Sequence, residues 1–296
     1  MFFFFLKDIT DGIPEDERIK LTGLSEEERR KKDIRICANI FGKRILIEGE
    51  FLKPVIKTPK DCSCIRVIPH KLPWKVLLVN DTREALRGKK VLEYIEWAEQ
   101  TSNYLLRPTC ASRKLWYNLG LGEPAEINSS CLIHDYAKIF IGRVFANDNF
   151  CKVYTENKEI VCFLVSTPFI LFQNVLGRSN LGGGLLKIEV YEWKQMMVLD
   201  PKYINEKIKN RFEILAERPY EKLFVEVTKP DRRELDLAIL EALGFEDEQE
   251  RKEILEELYK EVLDMFKARS EKAKEKAKAY KGNKGNLQNS SLEKGG

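Results

Sequence analysis

The chain has 296 residues, enough to bury a sizeable core, and with 43% apolar and 33% charged residues it has the composition of a folded globular protein rather than a fibrous or disordered one. Its net charge of +4 misleads until it is located: residues 266–296 hold nine Lys/Arg against three Asp/Glu, which leaves −2 for residues 1–265. A body this close to neutral excludes a uniformly basic nucleic-acid binder, so any affinity for DNA requires a locally basic face.

The chain opens on Met1-Phe2-Phe3-Phe4-Phe5-Leu6, apolar but too short for an anchor and without the cationic flank of a signal peptide. It reads either as a buried first strand or as a gene start placed inside a longer reading frame, and the second reading is favoured. Residues 1–39 form a charged, helical lead-in, in which Ser25-Glu26-Glu27-Glu28 has the spacing of a capped helix start. Residues 40–204 read as one α+β domain. Its strands are expected at 44–48, 65–68, 75–79, 138–144 and 151–154, and a helix at 89–104 presents Val91, Tyr94, Ile95 and Ala98 on one face. Residues 160–176 are apolar at nearly every position and predict one buried helix rather than a bilayer span. The glycine-bearing turn Gly177 to Gly184 follows, and then a strand-like 185–193. Three consecutive glycines can reverse the chain tightly or approach a phosphate, but no Gly-Lys-Ser/Thr ending follows, so this is not a nucleotide P-loop.

Residues 205–280 are read as helical. Asp231 with Glu234 and Asp247 with Glu250 have capping spacings and open two helices, with stripes at Leu235, Ala238, Ile239, Ala242 and Leu243 and at Ile254, Leu255, Leu258, Tyr259, Val262 and Phe266. They form a helical hairpin that packs on something. Residues 281–296 are Gly/Asn/Ser/Lys-rich and are expected to be a disordered tail. Seven cysteines, an odd number without a secretory signal, point to reduced thiols and a cytoplasmic location. Cys62 and Cys64 lack the Cys-x-x-Cys spacing of zinc sites and His70 does not complete a ligand set, so no metal is expected.

Several side chains could meet DNA. Arg107, Arg113 and Lys114 stand beside Trp116 and Tyr117, where cations can hold phosphates or reach guanine edges and an aromatic ring can stack on an unpaired base; a surface loop with Trp116 in the core is the alternative. His134-Asp135 could pass for an acid-base pair, yet neighbours in a strand point to opposite faces, which leaves His134 as a structural or DNA-facing residue. Lys57, Arg143 and Lys187 lie on strands or strand edges, and Arg178 and Asn180 flank the glycines. No nucleophile, carboxylate pair or metal cluster stands out, so no catalytic residue is assigned.

Four blocks in order carry a resemblance. Glu50-Phe51-Leu52-Lys53-Pro54-Val55-Ile56-Lys57, the segment Arg107 to Tyr117, the string from Ser166-Thr167 through Leu176-Gly177-Arg178-Ser179-Asn180-Leu181-Gly182-Gly183-Gly184 and Lys187 to Lys194, and Pro230-Asp231-Arg232-Arg233-Glu234-Leu235-Asp236 with Leu243-Gly244 together resemble the target-recognition region of adenine-specific DNA methyltransferases of type IIG and related restriction-modification systems. The resemblance begins near Asp11, as though mid-protein, and runs over most of residues 12–278. It implies a mixed strand/helix target-recognition domain followed by a C-terminal helical hairpin, with double-stranded DNA as partner and no membrane. The glycine-rich cofactor loop and the Asn/Asp-Pro-Pro-Tyr/Phe motif of such enzymes do not occur in these 296 residues; Asp200-Pro201-Lys202-Tyr203, the nearest string, reads as a linker turn. The resemblance therefore implies the specificity part of a methyltransferase, with no cofactor of its own and with S-adenosylmethionine held by a separate catalytic subunit. A degenerate remnant or a protein-interaction module is the alternative.

Overall fold

The structure, a computed structural model, describes residues 3–101, 106–179 and 184–292, with side chains described as far as residue 275. In chain order its elements are β1 (Phe5–Asp8), α1 (Glu15–Thr22), α2 (Glu26–Lys31), β2 (Ile34–Asn39), β3 (Arg44–Glu48), β4 (Leu52–Ile56), β5 (Lys75–Leu77), α3 (Lys90–Thr101), α4 (Pro108–Ala111), β6 (Ala125–Ser130), β7 (Leu132–Ile133), β8 (Ile139–Ala146), β9 (Phe150–Val153), α5 (Val161–Leu164), α6 (Thr167–Leu176), β10 (Leu186–Lys187), α7 (Val190–Trp193), α8 (Glu206–Glu217), α9 (Leu223–Glu226), α10 (Pro230–Ala242) and α11 (Glu248–Leu292). The fold is α+β. It divides into two compact units, the first made of Met1–Asp61, Ile68–Ala125 and Arg143–Asn147, the second of Cys62–Val67, Glu126–Gly142 and Asp148–Gly296.

In the first unit, antiparallel strands run in the order β3-β2-β1-β5-β4, and the second half of β8 joins β4 in parallel. The opening phenylalanines supply its middle strand: β1 pairs with β2 on one side and β5 on the other, and Leu6 is fully buried. The buried-strand reading of the start is thus the one the fold uses. An uninterrupted apolar run suits a strand covered on both faces, which is why alternation did not reveal it. α3 lays Val91, Tyr94, Ile95 and Ala98 on the core, as its stripe predicts. Ser25 accepts from the Glu28 N–H while Glu28 returns a bond to the Ser25 N–H, closing the expected capping box on α2.

In the second unit, β6 stands between β9 and the first half of β8, and β7 pairs with β10 in a short ribbon. Helices fill the rest. The apolar run 160–176 is not one helix but two, α5 and α6, bent by 74°. The break falls at Ser166-Thr167 because the Thr167 N–H and hydroxyl both donate to Asp236, at 2.8 and 2.6 Å, and because Pro168 suits a first helical turn. Among the described residues no single helix is long and apolar enough to cross a membrane. The strand expected at 185–193 is also corrected. Only Leu186–Lys187 is extended, since Glu189 and Glu192 form a capping box that turns the chain into α7. Asp247 caps α11 through the Glu250 N–H at 2.7 Å, as expected, whereas α10 starts at Pro230 and Asp231 is engaged by Arg218 instead of capping.

α10 and α11 pack against α6 and α9 through Ile170, Leu223, Leu240, Leu255, Tyr259 and Val262. A buried charged network ties these helices together. Arg232 donates to the Val165 carbonyl and lies 3.5 Å from Glu226, Arg218 grips Glu226 at 2.7 Å and also Asp231, and Asp236 accepts from Thr167 and, at 2.9 Å, from the Tyr259 hydroxyl. Burial opposes ionisation of Glu226, but the Arg218 hydrogen bonds and the charge of Arg232 outweigh it and hold its carboxyl at about 2. For Asp236 burial wins, and its carboxyl is pushed up. The resemblance block Pro230 to Asp236 is therefore a structural clamp.

Candidate nucleic-acid interface

Strand register decides which side chains of the first unit share a face, because residues opposite each other across a ladder point the same way. Ala38 pairs with Arg44 and with Lys7, the β1–β5 register continued by one residue sets Lys7 opposite Trp74, the Val55 N–H donates to the Trp74 carbonyl at 3.2 Å, and Val55 pairs with Phe145. Arg44, Ala38, Lys7, Trp74, Val55 and Phe145 thus form one row across six strands. The neighbouring row on that face carries Phe5, Val76 and Lys53, with Arg143 two residues before Phe145. Lys57 lies two residues beyond Val55, so it shares the face too.

This face is basic and centred on an indole. The Lys57 ammonium sits 3.7 Å from the Trp74 ring centroid and the Lys7 ammonium 4.8 Å, while Lys7, Lys53 and Arg143 are exposed and Trp74 is half-buried. The ion pairs of this surface are made elsewhere: Arg44 with Glu17 and Arg143 with Glu123 at 3.2 Å; among the described residues none involves Lys7, Lys53 or Lys57. Two ammonium groups held near an aromatic ring and a third on the same face, without carboxylate partners, keep their charge available to an external anion.

The segment read as a basic aromatic patch is arranged differently. Trp116 and Tyr117 are only 8% and 1% exposed; the Trp116 indole donates to Glu99 at 2.7 Å and packs 4.9 Å from Phe3, and the Tyr117 hydroxyl donates to the Asp81 carbonyl. Both rings are spent in the core, which corrects the expectation of a stacking surface there. Arg113 donates to the Trp116 carbonyl at 3.4 Å, and Arg107 and Lys114 project at either end of α4.

In the second unit the glycine turn is a joint. A Cβ on Gly177 would come within 2.7 Å of both the Gln173 carbonyl oxygen and Leu186, and Gly184, at φ +72°, lies so close to α11 that a Cβ would be 3.2 Å from the Arg269 carbonyl. Asn180 and Gly182-Gly183 lie outside the described residues. Arg178 and Lys187 exchange both backbone hydrogen bonds at 2.9 Å, and their side chains are occupied: Arg178 by Glu192 at 2.8 Å and Glu189 at 3.5 Å, Lys187 by Glu189 at 2.5 Å. His134 is exposed and sits edge-on to Phe266 of α11, 5.9 Å between centroids. Its neighbour Asp135 accepts from the Tyr136 and Leu223 N–H groups, which removes it from any acid-base role with His134. Close by, Lys138 is roofed by Tyr136 and Tyr220, at 3.6 and 4.6 Å, and burial pushes its ammonium down to about 8.

Of the residues singled out in the sequence, the fold brings Lys57 and Arg143 to one face, which Lys7, Lys53 and Trp74, not singled out there, also share. The signal was present only as a cation at alternate strand positions, and it becomes readable when the pairing of β1 with β5 is known.

Residues 69–230, more than half of the chain, match the family described as Type II methyltransferase M.Eco57I, C-terminal domain, and the chain belongs to that family. Among solved structures, that of the type IIG restriction endonuclease BpuSI shares the fold, with a TM-score of 0.51 at 15% identity over 74% of this chain. The match takes up 27% of that structure's length, so this chain spans about a quarter of it. A comparison with curated proteins finds no match.

Proposed function

We propose that the chain is the DNA target-recognition module of an adenine-specific DNA methyltransferase system, working with a separate catalytic subunit. The observation that carries the DNA reading is the sheet face shared by Lys7, Lys53 and Lys57, two of them against Trp74, cationic and without acidic partners, in a member of a methyltransferase C-terminal family. Lysines in this setting hold phosphates, which supplies affinity and register without reading sequence. Base contacts then fall to longer, directional side chains, for which Arg143, on the same face, and Arg107, Arg113 and Lys114, of the same unit, are the candidates, while His134, Arg178 and Lys187 of the second unit stand as secondary ones. Methyl transfer requires S-adenosylmethionine and an extruded adenine, and the residues for both belong to the catalytic subunit.

The test has two parts. Purified chain is titrated onto duplex DNA between about 50 and 200 mM salt; affinity that falls steeply with salt, and that prefers one sequence, is expected. Where a neighbouring gene encodes a subunit with the Asn-Pro-Pro-Tyr motif, the chain is then combined with that subunit, and methylation of adenine in duplex DNA is measured. No binding at low salt overturns the DNA reading, and binding without methyl transfer by the pair overturns the subunit.

A protein-interaction role has its own support in Val190, Tyr191, Met197 and Val198, apolar side chains between 48% and 69% exposed on the second unit. Binding of the catalytic subunit without DNA affinity is the result that favours it.

A further inference from the structure

Two of the seven cysteines are placed unlike the rest. β6 and β9 pair with Ser129 opposite Cys151, and one step past β6 the Cys131 N–H donates to the Asn149 carbonyl at 2.8 Å. Cys131 and Cys151 are therefore diagonal neighbours on one face of this ribbon. Their Sγ atoms are 2.6 Å apart, nearer to the ~2.05 Å of a disulfide than to the ~3.5–4.0 Å at which non-bonded heavy atoms pack. Both side chains are buried, at 8% and 4% exposure, in a ribbon held by hydrogen bonds on both sides. Of the others, Cys37, Cys110 and Cys162 are buried without a thiol neighbour among the described residues, and Cys62 and Cys64 are half-buried.

The two thiols are also chemically unequal. The contact with Cys151 lowers the Cys131 thiol despite burial, while the same contact and burial raise Cys151, so Cys131 is the one that ionises first.

We propose that Cys131 and Cys151 are a covalent modification site, closing to an intrachain disulfide in the presence of a low-molecular-weight disulfide such as oxidised glutathione. When the end of the ribbon opens locally, the Cys131 thiolate attacks one sulfur of glutathione disulfide, forming a mixed disulfide and releasing one glutathione thiolate. The Cys151 sulfur, giving up its proton, then attacks the Cys131 sulfur and releases the second. Two protein thiols are oxidised, one glutathione disulfide is reduced to two glutathiones, and the two thiol protons go to the released thiolates.

The bond sits at a junction. The Cys131 carbonyl accepts from the Ile188 N–H at 3.0 Å, and the Cys151 sulfur lies 3.8 Å from the Ile188 carbonyl, so the link fastens β9 to the point where β6 passes into β7 and where the chain leaves β10. It fixes the strand behind the glycine joint and restricts the unfolded chain.

The full chain tests this without mutation. Native protein is equilibrated with reduced or oxidised glutathione, quenched, denatured, alkylated and digested. Expected in the oxidised sample is a peptide pair joining Cys131 to Cys151, a mass lower by two hydrogens, two fewer alkylated thiols, and a thermal midpoint roughly 5–10 °C above the reduced sample. Cys131→Ser and Cys151→Ser should each abolish the linked pair; should either fail to fold, the wild-type peptide map decides alone. Seven alkylated thiols after native oxidation, a different linked pair, or glutathione adducts that never resolve each overturn the proposal.

Discussion

The two units use the same residue types for opposite ends. On the first unit, Lys7, Lys53 and Lys57 share one sheet face without carboxylate partners, and Trp74 is the neighbour of two of them. On the second, the cations meet acids or burial: Arg178 with Glu192, Lys187 with Glu189, Arg218 and Arg232 with Glu226, and Lys138 beneath two tyrosines. A cation that is already paired inside the protein stabilises it and has little left for a ligand. One without an acidic partner contributes less to folding and keeps its charge free to bind. Changing the paired charges of the second unit should therefore cost stability, and changing Lys7, Lys53 or Lys57 of the first should cost affinity.

The sharpest break of that contrast is Asp236→Ala. It strands the Thr167 N–H and hydroxyl, the Tyr259 hydroxyl and the neighbouring Arg232 in a fully buried site, and should lower unfolding free energy by about 3–5 kcal/mol in denaturant titration. Next comes Gly177→Ala, whose Cβ has no room against the Gln173 carbonyl; a loss of roughly 1–3 kcal/mol is expected, with no change in the salt dependence of any DNA binding. Arg178→Met should be smaller, about 0.2–1 kcal/mol, because its guanidinium is 44% exposed.

Lys138 sharpens the comparison through pH. Its folded pKa of about 8 lies below the ~10.4 of an unfolded lysine, so between those values the unfolded chain holds more protons and stability rises with pH, the penalty for burying the charge being complete below 8. Tyr94, pushed up to about 12 by burial, works the other way above pH 10. The difference between wild type and Lys138→Met across pH 8–10 isolates the lysine: a stability gain present in the wild type and absent from the variant is expected.

Much of this architecture was legible in the chain. α3 announced itself by its stripe, α2 and α11 by their capping residues, and β3, β5, β8 and β9 by alternation, because each signal lies within about a dozen residues. β1 was hidden by continuous apolarity and β4 by Pro54, which interrupts the pattern of a strand without interrupting its pairing to β5. The break before Thr167 depends on Asp236, sixty-nine residues away, and no local window contains it. The same distance effect governs the site. Trp116 beside Arg113 and Lys114 has the composition of a binding patch, but Phe3 and Glu99 claim the indole, whereas Trp74 has no basic sequence neighbour except Lys75 and Lys71 and receives Lys7 and Lys57 through strand pairing.

The central claim is that the first unit's unpaired lysines hold DNA phosphates. It is tested most directly by the slope of log affinity against log salt for wild type and for the Lys7→Ala/Lys53→Ala/Lys57→Ala variant on the same duplex. Each phosphate contact contributes a slope of about 0.9, so the triple variant should bind more weakly with a slope shallower by about 2–3 while its unfolding free energy falls by no more than about 2 kcal/mol, the worth of its two cation–π contacts. An unchanged slope in a folded triple variant contradicts the account.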